Sequence, residues 1–434
     1  MLDIKLLRDD PEGVTTKLKT KDPEVNTAIV LELDETLRHK KTEVEKLKCE
    51  RNEASKKIGE LKRTGKDKEA EELKEKVGAF SEETHNLDRE IRDLEEQYIH
   101  ALSSCPNLPM EDVKVSLDPR ENVVIAQEGE PKVFDFEPKN HVELCEEHNL
   151  VDFKRGAKVT GTGWPAYRGM GARLEWALIQ YMIDFHVNNG FTQWFPPLLV
   201  KREVMFGSGQ LPKFEGQQYV IQDEDYPFYL VPTAEVPLNG LHLDEIIDEE
   251  QLPLKYCAYT PCFRREAGAA GSGERGLIRV HQFNKVEMFC FCKPEESMKI
   301  FEEMVTSAER LVEGLGLHYR SCLLVTGDMS FPAARTVDVE VWLPGQNRYY
   351  EVSSVSNCTD YQSRRSKTRF RPKGGGKPEH LHTLNGSGLA TSRLMVSLLE
   401  NNQNADGSIN IPPCLQGYLG GMAKIEKPTS PYSG

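Results

Sequence analysis

From Val30 to about His100 the chain holds no proline, and its apolar residues recur alternately three and four positions apart. Only a long helix packed along one seam uses that spacing. One stripe runs Val30, Leu33, Leu37, Val44, Leu47, Ala54, Ile58 and Leu61, with Lys40 and Arg51 at two seam positions. A second runs Leu73, Val77, Phe80, Thr84, Leu87, Ile91, Leu94 and Tyr98. Between them, Thr64-Gly65-Lys66-Asp67 breaks the helix and is long enough for a tight reversal. The spacing predicts an antiparallel two-helix hairpin over about residues 27–100. At about 1.5 Å per residue, this makes an arm of roughly 50 Å. The first helix is rich in Lys and Arg (Arg38, Lys40, Lys41, Lys46, Lys48, Arg51, Lys56, Lys57, Lys62, Arg63) and the second is mostly Glu and Asp. Such a division suits a solvated surface with pairing across the hairpin. It equally suits a basic ridge that meets nucleic-acid phosphates. The arm alone does not decide.

Texture changes near residue 105, where Pro, Gly and aromatic residues appear. The boundary divides an N-terminal domain, 1–105, from a globular domain, 106–434. At 434 residues, 38% of them hydrophobic and 29% charged, the chain has the length and composition for a real core and is not a disordered one. Its 55 basic against 69 acidic side chains give −14, which excludes wholesale coating of nucleic acid but leaves room for a local basic face. No apolar run reaches the ~18–20 residues of a membrane span. The N-terminus lacks a signal-peptide apolar stretch, and Asp9 and Asp10 speak against a transit peptide. Ten cysteines without CxxC spacing read as reduced thiols in a cytoplasmic protein. Strand-like runs (255–259, 286–292, 338–343, 349–355) and helical stretches (172–188, 295–315, 389–400) predict α+β, with a mainly antiparallel sheet flanked by helices. Residues 363–377 read as an exposed loop, and the tail after Gly420 as frayed.

The chemistry concentrates in Thr260–Glu287. Arg264 and Glu266, two apart on an expected strand, point to one face, and a glycine-rich loop and a returning strand follow. Such a hairpin can hold a nucleotide. Arg264 bonds phosphate or carboxylate bidentately, Glu266 accepts from an exocyclic amine, and Phe283 offers a stacking face. Taken singly, an Arg-x-Glu is more often a surface salt bridge, and the glycine loop has neither Walker nor dinucleotide spacing.

Six segments in order carry more weight: Gly207–Phe214, Val231-Pro-Thr-Ala-Glu-Val-Pro237, Thr260–Gly268, Arg279-Val-His-Gln-Phe283, Glu351-Val-Ser-Ser354 and His382-Thr-Leu-Asn-Gly-Ser-Gly-Leu-Ala390. With the arm, they make the chain resemble, nearly end to end, the seryl-tRNA synthetases of the second structural class. The class's first motif resembles the helix at 171–189 with the following strand and Pro197, the second Phe263–Phe283, the third Gly388–Arg393. The resemblance implies the following roles. Thr233, Ala234, Glu235 and Glu287 hold the serine ammonium and frame its side chain, and Asn385 and Ser387 recognise the hydroxyl. Arg264 meets the serine carboxylate and the ATP α-phosphate. Arg265 is a nucleotide contact, Glu266 reads the adenine amine, and Val280, His281 and Gln282 line the nucleotide pocket. Phe283 and Arg393 sandwich the purine, with Arg393 also reaching the γ-phosphate. Glu351, Val352, Ser353 and Ser354 bind ATP, with Glu351 and Ser354 on Mg²⁺.

The implied activity is ATP-dependent ligation of L-serine to tRNA(Ser) through seryl-adenylate, with tRNA(Sec) as a further substrate. The implied assembly is a homodimer whose arm contacts tRNA. No Cys/His set suits the zinc-dependent variant, so no zinc is expected. Where many relatives carry an arginine and an aspartate in the loop that meets the tRNA acceptor end, this chain has Ala269-Ala-Gly-Ser-Gly-Glu-Arg275. An adenylating enzyme that loads a carrier protein would lack the arm. A non-catalytic coiled-coil scaffold would have no reason to keep Arg264, Glu266, Glu351 and Arg393.

Overall fold

A computed structural model describes residues 1–266 and 276–428. The altered stretch Ala269–Arg275 therefore lies outside the described residues, as does the chain from 429 on. The chain divides into two units. The smaller comprises Leu2–Lys19 and Pro23–Pro106; the larger comprises Met1, Thr20–Asp22 and the chain from Asn107 onward.

The smaller unit consists of helices α1 (Ile4–Asp9), α2 (Pro11–Lys19), α3 (Thr27–Arg63) and α4 (Asp67–Ser103). The last two have 37 residues each, about 55 Å of helix at 1.5 Å per residue. They fold back on each other through Gly65, whose φ of 71° is left-handed backbone that glycine enters without strain. Leu37, Val44, Leu87 and Ile91 form the buried seam, with Leu47, Leu94 and Tyr98 packed against it. Lys62 and Arg63 close α3, and Asp67 and Glu69 open α4, each sign facing the helix end that favours it. Cross-hairpin pairs take up part of the charge division: Lys40 with Glu90 (2.6 Å), Lys41 with Glu95 (2.6 Å) and Lys48 with Asp88 (3.5 Å). Lys56, Lys57, Lys62 and Arg63, towards the hairpin tip, are exposed.

The larger unit is built on an eight-stranded sheet. Its strands are β1 (Val123–Glu128), β2 (Thr192–Trp194), β3 (Leu254–Phe263), β4 (Gln282–Cys292), β5 (Tyr319–Leu323), β6 (Arg335–Leu343), β7 (Arg348–Asn357) and β8 (His382–Ala390). The spatial order is β1-β5-β6-β7-β8-β4-β3-β2. Every pairing is antiparallel except β2 with β3. Period-two alternation sends Val286, Met288, Cys290 and Cys292 of β4, and Val337, Val339 and Val341 of β6, into the main core. Helices α5 (Gly169–Asn188), α7 (Ser297–Gly314) and α9 (Thr391–Asn402) cover that face and bury Leu178, Met182, Met304, Leu311 and Met395 there. The opposite face of the central strands is polar at its middle and carries the site. Short helices α6 (Glu235–Gly240) and α8 (Tyr361–Ser366) complete its surround. Gly388 allows the sheet to close on α5: a Cβ there would stand 2.2 Å from Nε2 of the buried His186. Among the described residues no helix is long and apolar enough to cross a membrane.

Two expectations need correction. Residues 363–377 are not a single exposed loop. Ser363, Arg365, Ser366 and Thr368 are buried, because Arg365 donates to the Phe206 carbonyl (2.7 Å) and to that of Leu211, and Ser363 donates to the Leu381 carbonyl (2.6 Å). Exposure is confined to Lys367 and to the glycine-rich end from Arg371 on. The tail is not frayed from Gly420 either, since Lys424–Ile425 pairs with Ile409–Asn410 and Ile425 is buried.

Candidate active site

On β4, Phe283, Lys285 and Glu287 share the face opposite the core, as alternate strand residues must. Burial is nearly complete at Lys285 (6% exposed) and Glu287 (1%), so their charges need partners. They are an ion pair. Lys285 Nζ also donates to Thr233 Oγ1 (2.8 Å), which donates to Glu287 Oε2 (3.0 Å) and accepts from the Glu235 amide (3.2 Å). Every hydrogen-bonding capacity of the threonine hydroxyl is thus used. Register sets Ser387 of β8 opposite Glu287, and Asn385 opposite Phe289. Asn385 Nδ2 donates to Glu235 Oε1 (3.2 Å) and lies 3.4 Å from Cys358 Sγ. Gln362 of α8 donates to the same Glu235 oxygen (2.5 Å). Burial, and then the nearby Glu287, pushes the Glu235 carboxyl up to about 7. The result is a small niche of acids, hydroxyls and amides.

The niche opens into a cleft lined by Arg264, Glu266, Arg279, Phe283, Lys285, Glu351, Ser387 and Arg393, with Ile278 and Val280 on its wall. Arg264 stacks its guanidinium on Phe283, 5.1 Å from the ring centre, and donates Nε to the Pro232 carbonyl (3.3 Å). Arg393 stands in the first turn of α9, where the helix dipole opposes a cation. Glu351 compensates: Arg393 donates to its carboxylate (2.9 Å) and its carbonyl (3.2 Å), and the guanidinium lies over Tyr350 at 5.0 Å. Beneath them Asp338, half-buried with Oδ1 shut from solvent, is bonded to Ser354 and held well above the usual carboxylate range, by desolvation and by Glu351.

Strict alternation would put Glu351 and Ser354 on opposite faces of β7. A β-bulge prevents it, setting Val339 opposite Ser353 but Glu340 opposite Glu351, so that both face Asp338. The inserted residue, Val352, faces the core, and the Ser353 hydroxyl donates to the Ser387 carbonyl (2.5 Å). These two side chains are therefore not in the cleft. Ala234 is fully buried at the start of α6. Arg265 is exposed and donates to the Gly216 carbonyl (3.2 Å), outside the cleft lining. His281 stacks on Trp164 with its Nδ1 3.1 Å from the Arg264 carbonyl, and Gln282 is exposed at the start of β4.

The strand argument for Arg264 and Glu266 is also corrected. β3 ends at Phe263, and Glu266 has a left-handed φ of 47°. They share the cleft because the chain turns there, with Glu266 tied to Arg279, and not because of strand alternation.

Sequence reasoning missed Lys285, Asp338, Gln362 and Arg279. For Lys285 the signal was present: two positions before Glu287 on a strand means the same face. Gln362 gave none, since it borders a segment read as loop.

Among the described residues no group of three or more His, Cys, Asp or Glu side chains is gathered to hold a metal ion. Glu351, Ser354 and the Asp338 oxygen that lacks a partner do suit a hard cation, one that takes one or two carboxylates and fills its remaining positions with phosphate and water.

Comparison with known proteins agrees along the whole chain. The family described as seryl-tRNA synthetase N-terminal domain matches residues 1–109, and the tRNA synthetase class II core domain (G, H, P, S and T) matches 214–402. The serine–tRNA ligase of Chlamydia felis is 50% identical over 420 residues, covering 97% of this chain and 98% of that protein. The crystal structure of seryl-tRNA synthetase from Pyrococcus horikoshii complexed with ATP superposes with a TM-score of 0.91 at 37% identity, over 99% of this chain and 100% of that one. The cytoplasmic serine–tRNA ligase from Naegleria fowleri in complex with AMP gives 0.85 at 30% identity, over 98% and 99%.

Proposed function

The chain belongs to the seryl-tRNA synthetase family, and on that premise we propose that it joins L-serine to tRNA(Ser) in two steps through seryl-adenylate, and serylates tRNA(Sec) as well. One observation carries the reading. A niche of buried acids and hydroxyls (Thr233, Glu235, Glu287, Asn385, Ser387) opens into an arginine-lined cleft, so an amino acid and a nucleotide can meet head to tail.

In the niche, Glu287 and Thr233 take the serine ammonium, while Asn385 and Ser387 take its hydroxyl. A site built to pair a hydroxyl rejects alanine, which would leave polar groups orphaned. In the cleft, Phe283 and Arg393 sandwich the purine, Glu266 accepts from its amine, and Val280 lines the wall. Any contact from Ala234, Val352 or Ser353 goes through the backbone, and His281, Gln282 and Arg265 lie at the margin.

Arg264 draws the serine carboxylate and the α-phosphate together. A carboxylate oxygen attacks the α-phosphorus in line and pyrophosphate leaves, so no enzyme nucleophile is required. What the protein supplies is position and positive charge. Glu351 and Ser354 would hold Mg²⁺, which when bound offsets phosphate charge. In the second step a ribose hydroxyl of the tRNA's terminal adenosine attacks the adenylate carbonyl, and AMP leaves.

The N-terminal domain, 1–105, takes the tRNA, with exposed Lys56, Lys57, Lys62 and Arg63 towards its tip as phosphate contacts. The rest, 106–434, performs the chemistry, and the protein works as a cytoplasmic homodimer. ATP–pyrophosphate exchange with serine, alanine, threonine and cysteine in parallel tests the assignment. Exchange with serine far above the other three is expected; equal exchange with alanine overturns it.

A further inference from the structure

Glu287 and Thr233, to which the serine ammonium is assigned above, already hold an ammonium group. Lys285 pairs with Glu287, and its Nζ donates to Thr233 Oγ1 (2.8 Å), two groups a substrate amine would need. The lysine also lines the cleft beside Arg264, Ser387 and Glu351, so it stands where niche and cleft join. Its four-carbon stem and three rotatable donors allow the ammonium to turn from one to the other.

We propose that Lys285 is an internal stand-in for the substrate ammonium, which serine displaces from Glu287 and Thr233 only because serine brings a carboxylate to receive it. This rests on the serine-site reading above. Two ammonium groups at contact distance from one buried carboxylate repel each other, so the incoming amine and Lys285 cannot share Glu287. Serine adds no net charge. Its ammonium takes over Glu287, and its carboxylate, aimed into the cleft, pairs with the displaced lysine beside Arg264. Serinol (2-amino-1,3-propanediol), with the same ammonium and hydroxyl but no carboxylate, adds an uncompensated cation to a buried site and is refused. The lysine thus makes the niche demand an amino acid and not merely an amino alcohol, and it moves positive charge towards the α-phosphate as serine binds.

The full-length protein, its Lys285→Met variant and its Lys285→Arg variant are compared by serine-dependent ATP–pyrophosphate exchange, by serinol inhibition of that exchange, and by thermal melting. In the wild type serinol should inhibit poorly. In Lys285→Met it should bind about tenfold or more tightly relative to serine, because no internal ammonium has to leave, while Lys285→Arg keeps the wild-type preference. Should Lys285→Met fail to fold, the wild type with ¹³Cε-labelled lysine gives the answer. The Lys285 signal, assigned from the arginine variant, should shift with serine and stay still with serinol. A folded Lys285→Met with an unchanged serine-to-serinol ratio, or a lysine signal that ignores serine, overturns the proposal. A wild type without serine-dependent exchange would instead overturn the reading of the niche.

Discussion

Replacing Arg393 with alanine separates catalysis from stability. The Arg393–Glu351 pair is partly solvated, with side-chain exposures of 25% and 38%, so it contributes about 1 kcal/mol or less to folding. The melting temperature should therefore move by only a few degrees. Its effect on adenylation is larger. The guanidinium is held by the Glu351 carboxylate, the Glu351 carbonyl and the Tyr350 ring, so it reaches the transition state without reorganising. If Arg393, beside its place on the purine, reaches the γ-phosphate as the family resemblance implies, removing this preorganised donor from the charge that develops on the departing pyrophosphate costs about 3–4 kcal/mol, or roughly 10²–10³ in rate. The loss also leaves the Glu351 carboxylate facing Asp338 without its cation, so the two acids repel each other more strongly. Arg393→Lys keeps a point charge but neither the fork nor the flat face over Tyr350, and should recover only part of the rate. The assay is serine-dependent ATP–pyrophosphate exchange at saturating serine and ATP, alongside a thermal melt. An Arg393→Ala enzyme within about threefold of wild type and equally stable would refute the reasoning.

Exchanging Lys56, Lys57, Lys62 and Arg63 together for serine should raise the KM for tRNA and flatten its salt dependence while leaving serine-dependent exchange intact; an equal fall in both would deny the arm its separate role. Arg264→Ala should lower exchange by orders of magnitude, since that cation is assigned to both the serine carboxylate and the α-phosphate, and unchanged turnover would refute the assignment. Burial raises the Glu175 carboxyl from 4.5 to about 7, and among the described residues its Oε2 has no partner, as suits a carboxyl that keeps its proton. Between those values the folded protein binds the proton that the unfolded chain has lost, so this group's contribution to stability falls as pH rises, by about 3 kcal/mol in all. Glu175→Gln should flatten the decline in urea stability between pH 5 and 8, and parallel curves for the two proteins would refute it.

The hairpin was legible because an unbroken heptad stripe leaves a chain one way to bury it, and the turn at Gly65 sits where the stripe breaks. Strands β3, β4, β6 and β7 were legible from their β-like runs, but β8, between β7 and β4, was not, because Asn385-Gly386-Ser387-Gly388 has the composition of a turn. What escaped was placed by local departures from those periods. The bulge at Val352 brings Glu351 and Ser354 to one face, and a repeat of two predicts the reverse. Glu266 reaches the cleft from a left-handed residue beyond the strand end, which a sequence displays only when glycine or asparagine marks it. Gln362 was hidden because Gly, Ser and basic residues imply exposure on average, whereas Ser363 and Arg365 are buried by carbonyl partners distant in sequence. Asp338 looked like any outward residue of a strand, and its place beside Ser354 and Glu351 follows from what β7 lays next to it.

The cleft's charges have a common arrangement. Arg279 is tied to Glu266, Arg393 to Glu351 and Lys285 to Glu287. Among the described residues Arg264 makes no carboxylate pair of its own; it rests on Phe283 and a backbone carbonyl. A protein that must fold before it binds a triphosphate cannot leave four cations crowded in one hollow, because their repulsion would oppose folding. Internal carboxylates remove that repulsion, and the same carboxylates are the groups assigned to the adenine amine, the metal and the serine ammonium. On the proposed assignments each acid of these pairs faces a substrate donor or the metal, and each base faces a phosphate or a carboxylate. Arg264, with no acid to exchange, is ready for the first anion to arrive, so the polarity of the site is set before any pair has to open.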